Sequence, residues 1–156
     1  MIKVQKLNST HIDSVKAIAL GAEQVKFAAS AEEFVNNDEA GVHLHVITSD
    51  GNVVGFFKLD TLYPSQYSFS PEGSLGLRSF VVDRNQQGKG IGKQAVKALF
   101  PYLKENYSQY HAIYLTVNCK NPGAFNCYQK GGFIDTHEKY LGGPHGPQHI
   151  MYGSLK

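Results

Sequence analysis

The chain has 156 residues, 42% of them apolar and 18% charged, the make-up of one globular domain rather than of a disordered segment. Fifteen Lys and Arg against thirteen Asp and Glu leave a net charge of +2; this is too little for a general binder of nucleic acid or anionic membrane, yet it permits a local anion site. No apolar run approaches the roughly 18 residues of a membrane span, no apolar stretch follows the first lysines as it would in a signal peptide, and two cysteines make neither a disulfide framework nor a zinc ribbon. A single domain over residues 1–156 in a reducing cytoplasm is expected.

Ile2 to Leu7 alternates apolar and polar residues, as a half-buried strand does. Thr10 then caps a short helix with Ile12, Val15, Ile18 and Ala19 on one face. Ser30-Ala31-Glu32-Glu33 fits a capping box, Ser30 and Glu33 each satisfying the other's backbone donor, and a second short helix follows through Phe34 and Val35. His43 to Thr48 and Val53 to Leu59 are strands joined by Ser49-Asp50-Gly51-Asn52, and Asp-Gly between such runs predicts a hairpin. Leu62 to Gly73, rich in Ser, Pro and Tyr, is read as a loop before the strand Leu75 to Val82.

A glycine cluster leads into a helix from about Gly90 with Ile91, Ala95, Ala98, Leu99 and Tyr102 inward, which Pro101 should kink or end near Phe100. Ile113, Leu115 and Val117 mark a further strand, His111 to Asn118. Asn121-Pro122 starts a helix that Gly131-Gly132 ends. Phe133 to Leu141 and His149 to Leu155 form a closing hairpin around Gly142–Pro147. The order β-α-α-β-β-β-α-β-α-β-β predicts an α/β (α+β) domain built on a mixed sheet.

The chemistry concentrates in Gln87-Gly88-Lys89-Gly90-Ile91-Gly92, between a strand and a helix. Glycines let backbone N–H groups converge on one point, and the helix N-terminus adds partial positive charge, so the segment is suited to a phosphate. The third position of a dinucleotide fingerprint is filled by Lys93 instead of Gly, and Gly92-Lys93 lacks both the earlier glycine and the following Ser or Thr of a P-loop.

Phe80-Val81-Val82-Asp83-Arg84-Asn85-Gln86 ahead of that loop, with Asn121-Pro122-Gly123-Ala124-Phe125 and Tyr128-Gln129-Lys130-Gly131-Gly132-Phe133 downstream, resembles the two landmark motifs of the GNAT superfamily of acetyl-CoA-dependent N-acetyltransferases. The resemblance extends over most of the chain. It implies a sheet of about six to seven strands flanked by about four helices, with a β-bulge that splays Leu75–Val82 from His111–Asn118. It also implies that the backbone of Phe80, Val81 and Val82 pairs with the pantetheine arm of acetyl-CoA. Gln87, Gly88, Lys89, Gly90, Ile91, Gly92 and Lys93 would hold the pyrophosphate, with Asn121 either bonding the arm or serving as a helix cap. Tyr128 matches the family's general acid, and direct transfer needs no metal. Many relatives carry a glutamate on the strand before the loop, whereas Gly76, Leu77, Arg78, Ser79 and Phe80 offer no carboxylate; water, Glu33, Asp60 or His43 is left as the base.

His43 and His45 share a strand face but no third metal ligand is evident. Arg78 either meets an acidic group of the acceptor or pairs with a neighbour, and Cys127, beside Tyr128, is expected on another side of its helix. The segment Arg78–Asp83 looks like the bacterial polyamine-acetylating branch, so a small-molecule amine acceptor is expected, with Glu32, Glu33, Asp38 and Glu39 as groups that would attract a polycation. Antibiotic, amino-acid and protein or peptide N-terminal acceptors are alternatives, as is a non-catalytic coenzyme A sensor, and the family suggests a homodimer.

Overall fold

The computed structural model describes residues 1–20 and 30–156. Among the described residues, seven strands form one sheet: β1 (Ile2–Lys6), β2 (Val42–Ser49), β3 (Asn52–Asp60), β4 (Ser74–Val82), β5 (Ala112–Asn118), β6 (Ile134–Tyr140) and β7 (Gln148–Ser154). Their spatial order is β1-β2-β3-β4-β5-β7-β6, and β4 with β5 is the parallel pair in an otherwise antiparallel ladder. The β2–β3 turn has positive φ at Asp50 and Gly51, as the Asp-Gly signal requires.

Among the described residues there are five α-helices where about four were expected: α1 (Ile12–Lys16), α2 (Ala31–Val35), α3 (Tyr63–Gln66), α4 (Ile91–Asn106) and α5 (Pro122–Gly131). The additional one, α3, is a single turn within the stretch read as a loop. Asn8, not Thr10, caps the N-terminal helical segment, through a 3-10 turn at Ser9–His11 that precedes α1. At α2, Ser30 Oγ accepts from the Glu33 N–H, but the Glu33 carboxylate takes the Ser30 hydroxyl instead of its backbone N–H, so only half of the capping box forms.

α4 continues through Pro101 to Asn106, so the proline does not end the helix near Phe100. Pro101 is exposed, so water can satisfy the carbonyl one turn earlier that loses its donor. The apolar stripe Ile91, Ala95, Val96, Leu99 and Leu103 holds the helix on the sheet regardless.

The sheet divides the apolar interior in two. α4 and α5 cover a large core on one face, with Phe57, Leu59, Leu75, Leu99, Ile113 and Phe133. On the other face α1 and α2 cover a smaller one, where Val15, Ile18, Val46, Val81 and the Phe34–Phe56 ring pair meet, centroids 4.2 Å apart.

Candidate active site

The site begins where the sheet opens. β4 and β5 pair at only three positions, Ser74 with Ala112, Leu75 with Ile113 and Gly76 with Tyr114. Beyond them β4 stays with β3, where Lys58 faces Arg78 and Phe56 faces Val81. Two residues of β4, Ser79 and Phe80, therefore oppose the single Phe57, and Ser79 takes a positive φ of 53°. This is a β-bulge, which bends its strand and takes backbone groups out of the ladder. The expected splay of β4 from β5 is thus present, and a cleft of about 1110 Å³ fills the gap.

At one end of the cleft lies the glycine loop. Asp83 caps a 3-10 turn at Arg84–Gln86 by accepting from the Asn85 N–H at 2.9 Å. Gln87 Nε2 donates back to the Val82 carbonyl at 3.2 Å, tying the loop to the strand it leaves. Gly88 and Gly90 then adopt φ of 83° and 74°, which glycine reaches without the cost a Cβ imposes. The first helical bond runs from Gln94 N–H to the Gly90 carbonyl at 3.1 Å. The N–H groups of Gly88, Lys89, Gly90, Ile91, Gly92 and Lys93 find no acceptor among the described residues. Six such donors at a helix N-terminus, with Lys93 beside them, fit a pyrophosphate.

α5 supplies the wall beyond the loop. Asn121 Oδ1 accepts from the Ala124 N–H at 3.2 Å, so its side chain caps the helix while it also lines the cleft. At the other end the Phe133 N–H returns to the Tyr128 carbonyl at 3.0 Å, a Schellman-type closure that fixes the last turn. Tyr128 is half-buried there, its ring edge-on to Phe80 at 5.7 Å and to Phe133 at 5.8 Å. Burial pushes its phenol above the ordinary tyrosine value, with the Cys127 thiol and the Tyr63 phenol adding to the rise.

Phe80, Val82, Gln87, Gly88, Gly90, Ile91, Gly92, Lys93, Asn121 and Tyr128 all line this one cleft. Two expected residues do not. The Val81 side chain is buried in the smaller core on the far face, and Lys89 instead donates to Gln86 Oε1 at 3.1 Å. Cys127 departs from expectation the other way, since it lines the cleft together with Tyr128, and a Cβ added at Gly92 would lie 3.0 Å from its Sγ.

None of the three suggested bases lines the cleft. Glu33 is taken by Ser30, and His43 Nδ1 meets the Tyr107 hydroxyl at 2.7 Å beside α4. Asp60 is buried, accepting from Leu62 N–H at 2.9 Å, from Arg78 at 3.1 Å and from Gln66 at 3.3 Å. Arg78 also holds Glu39 at 3.1 Å, so it pairs with neighbours, and it keeps the Glu39 carboxyl below its usual range.

Tyr63 and Tyr67 also line the cleft, at the end away from the glycine loop, and sequence reasoning missed them. Their one signal is an i, i+4 tyrosine pair in the stretch taken as a loop, which one turn of helix brings to one side.

The sequence model of the acetyltransferase (GNAT) family matches residues 12–133. A spermine/spermidine N(1)-acetyltransferase of Bacillus subtilis (strain 168) is 37% identical over 84 residues, 54% of this chain and 54% of the relative, so the match spans about half the length of that curated protein. An uncharacterized N-acetyltransferase of the same strain, YbbJ, is 30% identical over 152 residues, covering 93% of this chain and 92% of its own. The solved structure of an aminoglycoside acetyltransferase, AAC(6′)-Ib, with coenzyme A and kanamycin superposes with a TM-score of 0.81 at 18% identity, covering 99% of this chain and 95% of the other, which shows a shared fold. With a family match over most of its length and a relative aligned almost end to end, the chain belongs to the acetyltransferase (GNAT) family.

Proposed function

We propose that the protein transfers the acetyl group of acetyl-CoA to a primary amine of a small molecule, with polyamines the first class to test. The observation that carries this reading is a cleft that joins the glycine loop, whose N–H groups find no acceptor among the described residues, to a half-buried phenol, through the gap between β4 and β5. Acetyl-CoA supplies an acyl carbon activated as a thioester. The N–H groups of Gly88–Lys93 and the Lys93 ammonium bind its pyrophosphate. The β4 edge at Phe80, Val81 and Val82, beyond its pairing with β5, runs along the path of the pantetheine arm. The Asn121 side-chain nitrogen is available to that arm while its oxygen caps α5.

Tyr128 keeps its proton at neutral pH and gives it to the departing sulfur. No carboxylate lines the cleft among the described residues, so the amine arrives already deprotonated or loses its proton to water. The same reading takes 1–156 as one domain acting in the cytoplasm, with a homodimer and no nucleic-acid or membrane partner. Polyamine acceptors are supported by the named activity of the relative that is 37% identical over half its length.

Calorimetric titration with acetyl-CoA, followed by a free-thiol release screen over polyamines, amino acids, aminoglycosides and peptides, tests it. Micromolar binding with thiol release on a small amine is expected. Binding without release on any amine would favour a coenzyme A sensor, a reading consistent with a cleft short of carboxylates. Absence of binding would sink both.

A further inference from the structure

Tyr63 is 2% exposed, yet it borders the cleft. Three features fix its ring. Asp60 accepts from the Leu62 N–H and from Gln66 Nε2, which pins the single turn of α3 at both ends. Gly76 on β4 leaves room for the ring, since a Cβ there would lie 2.1 Å from ring carbons of Tyr63. The rings of Tyr67 and Phe69 close the outer side, with centroids 4.6 and 5.9 Å away. So held, the phenol oxygen lies within hydrogen-bonding reach of Thr116 on β5 and within electrostatic reach of the Tyr128 phenol. Tyr63 on α3 and Tyr128 on α5 thus both line the one cleft.

We propose that Tyr63 binds the reacting amine, its hydroxyl oxygen accepting hydrogen bonds from the Thr116 hydroxyl and from an N–H of the acceptor. This rests on the acetyl-transfer reading above and adds the group that receives the acceptor, which that reading leaves open. The amine nitrogen is held from the α3 side while Tyr128 serves the leaving group from α5. Burial raises the Tyr63 phenol far above its usual value, so it acts as a fixed hydrogen-bonding group and not as the base. Arg78, paired to Asp60 and Glu39, completes the same wall without competing for the amine.

The test compares Tyr63→Phe, Thr116→Val and Thr116→Ser with the unmodified full chain, using spermine and the best amine of the screen. Tyr63→Phe removes one hydroxyl and keeps the ring, so kcat/KM for the amine should fall about tenfold, the worth of one good hydrogen bond. KM for acetyl-CoA should stay within twofold and the melting temperature should hold. Thr116→Val should follow the same pattern, and Thr116→Ser should restore most of the loss, which a merely structural role for Tyr63 would not produce. A kcat/KM for the amine within twofold of the unmodified chain in Tyr63→Phe overturns the inference and leaves the acetyl-transfer reading intact. If the unmodified chain releases no thiol with any amine, that reading has failed, and binding decides the inference. Spermine titrated onto coenzyme A-saturated protein should then bind about tenfold more weakly to Tyr63→Phe; equal affinity, or no binding to either, overturns it.

Discussion

Tyr128 and Tyr63 share a side chain and a cause, burial, that raises both phenols, and only their neighbours distinguish their tasks. A phenol raised well above a thiol looks too weak an acid to protonate a thiolate. Desolvation in the same cleft raises the departing thiolate as well, because it penalises every anion formed there, so donor and acceptor stay matched. Tyr128→Phe is therefore expected to lower kcat about 100-fold, the lower end of what a general acid contributes. Affinity for acetyl-CoA should stay within twofold, because the loop donors proposed to hold the pyrophosphate are untouched. Steady-state kinetics with calorimetry separate the two, and an unchanged kcat would remove Tyr128 from the chemistry. Tyr128 was singled out through the family resemblance, carried by Asn121-Pro122 and Gly131-Gly132 on either side of it, and the structure sets it on the cleft. Tyr63 was not, because what makes it a wall of the cleft is Gly76 and Thr116, which only the sheet brings near it.

As a proposed coenzyme cradle, the loop that joins β4 to α4 would need little side chain. Its groups suited to a phosphate are backbone donors, placed by two glycines at positive φ and by the Gln87 bond to Val82. A Cβ at Gly90 would meet nothing closer than Gln94 Nε2 at 3.7 Å, so Gly90→Ala acts through backbone strain alone, about 1 kcal/mol. The loop should relax from its left-handed turn, weakening acetyl-CoA about fivefold with the helix content by circular dichroism unchanged; equal affinity would mean that the donors do not depend on this turn. Strands, both long helices and this loop were readable from periodicity and glycine spacing. The bulge at Ser79–Phe80 was implied only by the family resemblance, since nothing in an apolar run marks where its register slips. Pro101 misled because a proline's lost donor matters less on an exposed helix face than the apolar stripe opposite it.

An opened sheet divides the molecule: β1–β4 and β5–β7 meet at three residue pairs between β4 and β5, and what binds the halves together is the core beneath α4 and α5. His45 on β2 is fully buried in that joint, stacked on Phe57 at 5.1 Å. Its Nδ1–H donates to the His43 carbonyl at 3.1 Å, which leaves Nε2 to accept from the Tyr102 hydroxyl of α4 at 2.9 Å. This arrangement requires the neutral ring, and burial, the largest cause, lowers its pKa to about 4. An unfolded histidine takes up its proton near pH 6.5, whereas the folded one resists until about 4. Between those values the unfolded chain binds more protons, so stability is full above pH 6.5 and drains away as the pH falls toward 4. From pH 7 to 5 the loss due to His45 should be about 2 kcal/mol. His43, lowered by burial and by Lys6, pushes in the same direction. Urea unfolding at pH 7, 6 and 5 measures the slope, and His45→Leu should flatten most of it while leaving acetyl-CoA binding at pH 7 in place. A slope unchanged by that substitution would move the acid sensitivity elsewhere and leave the β2–α4 joint indifferent to protons.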